Sequence, residues 1–280
     1  MKYIKLLKFD IQNGILKKQK VYAIAFIIAA VFCFDFSNSV KIFKLTGQNQ
    51  SVSFADCILY IYGGMREYIP SPTNPFVFPV IWVLVFLPLC FFTLNYPYQD
   101  MQSFGQQVLI RTKGRFLWWL SKCTWNILSS CFYHGVIYLT AFIFSLLSGI
   151  GINRNINMEM LQLNFQIKPE LLAAGNISFP IFAFLLPVLL SVAINLFQMT
   201  LCLFIKPLFS FLTVALLMLS SAYLLSPWMV GNYAMIIRSD LVLKKGVNFN
   251  IGFIIVLALF VLSFICGMIR FHYYDILNRD

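Results

Sequence analysis

Long apolar runs separated by short polar, mostly basic stretches run the length of this chain, and that alternation predicts helices that cross a bilayer. Six runs, at 21–40, 76–95, 122–151, 178–205, 207–228 and 250–270, each supply the ~20 residues a span needs. The third extends back as far as Phe116. The first is the weakest, because only 21–34 lacks charge, and Asp35 is expected at the outer interface. Lys206-Pro207 separates the fourth run from the fifth, since Pro ends a helix and Lys anchors at an interface.

The segments between the runs have patterns of their own. In 1–20, Tyr3, Ile4, Leu7, Ile11, Ile15 and Leu16 fall on one side, with Lys2, Lys5, Lys8, Asp10 and Lys17 mostly elsewhere. This reads as an amphipathic elbow helix lying in the inner interface. A cleaved signal would show a short basic region, an apolar core and a small-residue cleavage site instead. The 41–75 segment is expected to be a long outer loop, with Phe54, Ile58, Ile61 and Met65 making a short surface helix before the turn at Pro70, Pro72 and Pro75. Residues 153–176 form a second outer loop. A third, at 226–250, is dense in breakers and interface aromatics (Pro227, Trp228, Gly231, Asn232, Tyr233), and is read either as short re-entrant helices or as a plain loop.

Composition agrees with the pattern. The 280 residues are 60% hydrophobic and only 11% charged, with a mean hydropathy of +0.80. A soluble domain carries about 25% charged residues. No charged, mixed stretch is long enough for a separate soluble domain, so 1–280 reads as one all-α polytopic membrane domain of six transmembrane helices. With the N-terminus inside, 13 of the Lys and Arg residues fall on inner segments and 8 on outer loops, which puts both termini in the cytoplasm. The net charge of +11 is then accounted for by basic residues facing anionic lipid, without nucleic acid.

Little in the chain points to catalysis. There is no G-x-x-x-x-G-K-[ST] phosphate loop, no Ser/His/Asp set and no paired carboxylate. No His/Cys/Asp/Glu constellation suggests a metal, and the seven scattered cysteines include no C-x-x-C. No catalytic residue, metal site or cofactor is expected in the chain itself. His134 is the one clear ionisable residue inside a span, with Asn126, Asn195 and Gln198 as polar company. His134, Asn195 and Gln198 are candidates for a substrate pathway, although a packing histidine bonded to a neighbouring helix is the simpler reading of His134.

The most informative stretch is the polar, basic segment 97–117, set between two apolar runs. Pro97 suits the first turn of a helix, where its missing N–H costs nothing. From there Asp100, Phe104, Gln107 and Arg111 recur at helical spacing and share a face. Asp100 near the start and Arg111 near the end both suit the helix dipole. An ordinary solvated loop obeying the positive-inside rule is the alternative.

On these residues the chain resembles a permease subunit of the ABC-2 type of ABC transporters, chiefly the exporters of Gram-positive bacteria. The resemblance rests on the elbow, the six spans with both ends inside, the long first outer loop and the Asp100…Gly105-Gln106-Gln107…Arg111…Arg115…Trp118-Trp119…Lys122 connection. It implies that this connection carries a coupling helix docked on a separate ATPase. Asp100, Gln107 and Arg111 would give orienting contacts, and Phe104 with the run Val108-Leu109-Ile110 apolar ones. Arg115, Trp118, Trp119 and Lys122 would form an interfacial anchor that carries the push into the third span. It also implies a second permease protomer, identical or a sister subunit, ATP and Mg in the partner ATPase, and residence in the plasma membrane. The expected cargo is hydrophobic or amphipathic, such as an antimicrobial peptide or antibiotic. A secondary transporter or channel, or a non-transporting subunit of a sensor or immunity complex, are the alternative expectations.

Overall fold

The computed structural model describes residues 2–45, 51–72, 75–103, 105–107, 109, 114–173 and 178–275. Among the described residues nine α-helices have defined bounds, and there is no strand. They are α1 (Lys2–Gly14), α2 (Gln19–Leu45), α3 (Phe54–Tyr62), α4 (Val80–Met101), α5 (Arg115–Leu147), α6 (Met158–Phe165), α7 (Ile181–Leu201), α8 (Pro207–Tyr223) and α9 (Phe249–Tyr273). Five stretches are long and apolar enough to cross a bilayer: Tyr3–Leu45, which contains α1 and α2, and then α4, α5, α7 and α9. The fold is that of an all-α, multi-pass membrane protein.

The expected fifth span is shorter than its apolar run. α8 has 17 residues, or about 26 Å at 1.5 Å per residue, against a hydrocarbon core of about 30 Å. Side chains from further along the chain end it. The Arg238 guanidinium takes the carbonyls of Ser221 and Ala222, and the Asn232 amide takes that of Leu224. Past Tyr223 the backbone turns extended.

α5 is the central strut. It packs against α1, α2, α3, α4, α7 and α9, and α7 packs along α9. The outer side differs from a set of surface loops. α3 is capped by Ser53 and Asp56, each bonding the other's backbone N–H, and it is buried, with Ile58, Ile61 and Tyr62 fully covered. It therefore belongs to the core rather than lying on the surface, and Met65 falls beyond its end. The segment Val230–Ala234 and Ile236–Arg238 consists of two short 3₁₀ turns. Gly231 through Arg238 are buried, so this stretch is not a plain exposed loop.

The inner end departs from expectation at Pro97. α4 runs through Pro88 and Pro97 to Met101, so Pro97 lies inside a helix and does not begin one. Asp100 consequently sits in the last turn of α4, where the dipole disfavours a carboxylate. A turn at Gln102–Ser103 follows, and helical backbone resumes at 105–107 and 109. Asp100 and Gln107 are thus in different helical pieces.

Candidate functional site

α1 presents Tyr3, Leu7, Asp10 and Gly14, at spacings of three and four, towards α5. The Tyr3 hydroxyl is 2.8 Å from Thr124 Oγ1, and Gly14 lies against the Trp125 indole. Between them Asp10 is buried. The docking face of α1 is therefore the one that carries its carboxylate, while Ile4, on the expected apolar side, is 68% exposed. The reason is the partner: α5 offers the Ser121 hydroxyl and the Lys122 ammonium at this level, and Asp10 bonds both.

Lys122 is the centre of a buried charge cluster. Its ammonium pairs with Asp10 Oδ1 of α1 and lies 2.7 Å from Asp100 Oδ2 of α4. It also stands 4.7 Å from the Tyr96 ring centroid and 5.0 Å from that of Trp118, so both rings add cation–π attraction. The Tyr96 hydroxyl donates to Asp10 Oδ1 at 2.9 Å, Ser121 Oγ to Asp10 Oδ2 at 2.5 Å, and Trp118 Nε1 to Asp100 Oδ2 at 3.2 Å. Three helices are thereby held together at the root of the 102–114 connection.

The residues expected to anchor at the lipid interface have inward positions instead. Trp118, Trp119 and Lys122 are all buried. Trp118 stacks on Phe271 with ring centroids 4.7 Å apart, and Trp119 Nε1 donates to the Phe264 carbonyl. Arg115 caps the end of α9: its Nη1 donates to the carbonyls of Phe271, His272 and Tyr274. Of the residues expected at an ATPase contact, Asp100 is internal and paired and Gln107 is exposed. Phe104, Val108 and Arg111 lie outside the described residues. Leu109 is buried beside Met101, Trp118 and Trp119 rather than offered outward.

The three pathway candidates separate into two places. Asn195 and Gln198 of α7 both face α4: Thr93 Oγ1 donates to Asn195 Oδ1, and Gln198 Nε2 to the Cys90 carbonyl, each at 2.8 Å. Gln198 Oε1 is buried without a partner. His134 faces α3 instead, with Nδ1 2.8 Å from the Tyr62 hydroxyl and the rings of Phe86 and Tyr133 around it. Its Nε2 is buried and unpartnered.

A second polar centre, Arg238, lies on the opposite side. Fully buried, it donates to the carbonyls of Met65 and Arg66 in the first loop, of Ser221 and Ala222 at the end of α8, and to Asn232 Oδ1. Burial pulls the guanidinium down to about 10, opposed by the Glu67 carboxylate, so it stays charged at neutral pH. Beside this clasp is a cavity of about 430 Å³, walled by Tyr60, Arg66, Tyr68, Phe78, Phe165 and Gln166 among others.

Neither Asp10–Lys122–Asp100 nor Arg238 stood out as a pairing in the sequence. The available signal was physical. A Lys inside a long apolar helix and an Arg ending the run Tyr-Ala-Met-Ile-Ile both demand buried partners. Among the described residues, no cluster of three or more His, Cys, Asp or Glu side chains is placed to hold a metal. No protein-family model matches the chain, and no curated protein matches its sequence.

Proposed function

We propose that this chain is the membrane subunit of an ATP-driven exporter of the ABC-2 kind, working in the plasma membrane with both termini in the cytoplasm. In this reading it pairs with a second permease protomer, identical or a sister chain, and is driven by separate ATPase subunits that hold ATP and Mg. The chain is then itself non-catalytic. The cargo is a hydrophobic or amphipathic compound such as an antimicrobial peptide or an antibiotic.

One observation carries the proposal: the buried Asp10–Lys122–Asp100 cluster ties α1, the end of α4 and the start of α5 together at the base of the polar 102–114 connection. A push on that connection is transmitted through a paired, desolvated joint into α5. Because α5 packs against six other helices, displacement there would bear on each of them. A passive loop would have no need of a buried ion cluster at its root. Exposed Gln107 supplies an outward contact, and Asp100 supplies the internal one.

The test is extraction in mild detergent from the native cell. An ATPase should copurify at one per permease chain, with hydrolysis stimulated by cargo. Gln107→Ala and Arg111→Glu should weaken that assembly while leaving the protein's melting temperature unchanged. Function retained by the chain without any nucleotide-binding partner would overturn the proposal in favour of a gradient-driven transporter or channel.

A further inference from the structure

A groove of about 270 Å³ opens between the start of α5 and the end of α9, lined by Arg115, Phe116, Trp119, Met268, Ile269, His272 and Tyr273. Its chemistry is divided. Arg115 and His272, joined by the bond from Arg115 Nη1 to the His272 carbonyl, are its basic residues, and none of the seven lining residues is acidic. The remainder is aromatic and aliphatic. Phe116, Ile269 and Tyr273 are 53%, 52% and 76% exposed, so the apolar part opens outward rather than into the core.

The groove is also firmly built. Its floor, Trp119, is 1% exposed and is held by the bond from Nε1 to the Phe264 carbonyl. Phe271 stacks on both Trp118 and Trp119 behind it. Arg115 uses Nη1 to hold the end of α9, which fixes the guanidinium while Nε and Nη2 have no bond to α9 carbonyls. Both helices are among those long and apolar enough to span a bilayer, and both terminate at this level. Two basic residues, an apolar trough and a position where spanning helices finish together fit a ligand with an anionic head and hydrocarbon tail.

We propose that this groove is a binding site for one anionic phospholipid. Its phosphate would lie against Arg115 and His272, and its acyl chains would run over Phe116, Trp119 and Ile269. Charge complementarity selects the headgroup, since zwitterionic lipid brings its own cation to a groove that is already cationic. The inference is independent of any ATPase, because it concerns only the ends of α5 and α9.

Brominated acyl chains quench tryptophan on contact, and Trp119 forms the floor, so the occupant can be observed directly. The purified full chain is placed in phosphatidylcholine nanodiscs and titrated with brominated phosphatidylglycerol or with brominated phosphatidylcholine. The expected result is quenching by the anionic lipid at a several-fold lower mole fraction than by the zwitterionic one. Trp119→Phe should remove that excess. His272→Glu, which leaves the cap on α9 intact, should abolish the preference for the anionic lipid. Arg115→Lys should retain most of it. Soluble glycerophosphoglycerol should not displace the lipid. Equal quenching by the two lipids, a preference surviving His272→Glu, or displacement by the soluble headgroup would each overturn the proposal.

Discussion

Lys122 Nζ lies 2.7 Å from Asp100 Oδ2, with both side chains inside the protein, and Asp10 holds the other side of the same ammonium. Two carboxylates around one cation leave a formal charge of −1 in a desolvated place. Tyr96, Ser121 and Trp118 each donate to its oxygens and so offset that charge. That excess negative charge ranks the three members, and the ranking can be measured.

Lys122→Met should be the most damaging change, because it leaves two buried carboxylates without a cation. The cost expected for breaking a buried pair is about 3–5 kcal/mol. Asp10→Asn should cost less and act mainly on α1, which loses its charged tie to α5. Asp100→Asn should be mildest, since it leaves a neutral one-to-one pair and an amide oxygen for Trp118. Melting temperatures in detergent, with hydrogen exchange in α1, give the order. An Asp100→Asn variant less stable than Lys122→Met would show that the cluster is not held by charge balance.

Gly267 is where α9 meets the Trp119 indole, and a Cβ at that position would collide with the ring. Trp119 cannot retreat, because it is stacked and hydrogen-bonded. Gly267→Ala should therefore separate α9 from α5 and α7 at about 1–3 kcal/mol, the usual range for overpacking. Gly135, whose Cβ would meet nothing within 4 Å, is the internal control: Gly135→Ala should be neutral or slightly stabilising.

Arg238→Lys keeps the charge but offers at most three donors where five bonds are now made. Buried carbonyls are left unpaired, which costs about 1–3 kcal/mol for each group. Faster protease cleavage near Arg66 and a lower melting temperature should both follow, with insertion unaffected.

Asp56 gives a pH signature. Burial raises its carboxyl to about 6, against the lowering effect of the backbone N–H groups of Ser53 and Asn157. A raised acid pKa means that the folded state holds the proton more tightly than the unfolded one. Its stability contribution is full below about 4 and is lost as pH rises through about 6. Measured against non-titrating Asp56→Asn, the parent's melting temperature should fall between pH 4 and pH 7. A difference independent of pH would mean that Asp56 is already ionised in the fold.

Orientation has its own check. Ser51, Asn153 and Lys245 are exposed on the side of the outer loops, and Ser103 is exposed at the other end. In a cysteine-free background, a Cys at each of the first three positions should react with an impermeant thiol reagent on intact cells, and one at Ser103 should not. Labelling at Ser103 would invert the topology.

The sequence by itself determined the class and most of the helices. Apolar length and charge gaps mark α4, α5, α7 and α9 clearly and α2 more weakly, because a long, nearly uncharged apolar run is the signature of a membrane span. Lys206-Pro207 fixed the start of α8 through local chemistry, the Pro at the first helical position. The tertiary structure decided what depends on partners distant in the chain. α8 stops early because Arg238 and Asn232 capture its last carbonyls. α3 is buried because α2, α4 and α5 pack on it, although its own pattern resembles that of a surface helix. Pro97 stays helical, and Asp100 tolerates the wrong end of the dipole, because Lys122, 22 positions further on, pays for both the burial and the placement of that carboxylate. A local rule such as the dipole contributes about 0.3–1 kcal/mol at an exposed site, whereas a buried ion pair broken on one side costs several times more. Where the two conflicted, the long-range contact prevailed, and no periodicity in the chain records such a contact.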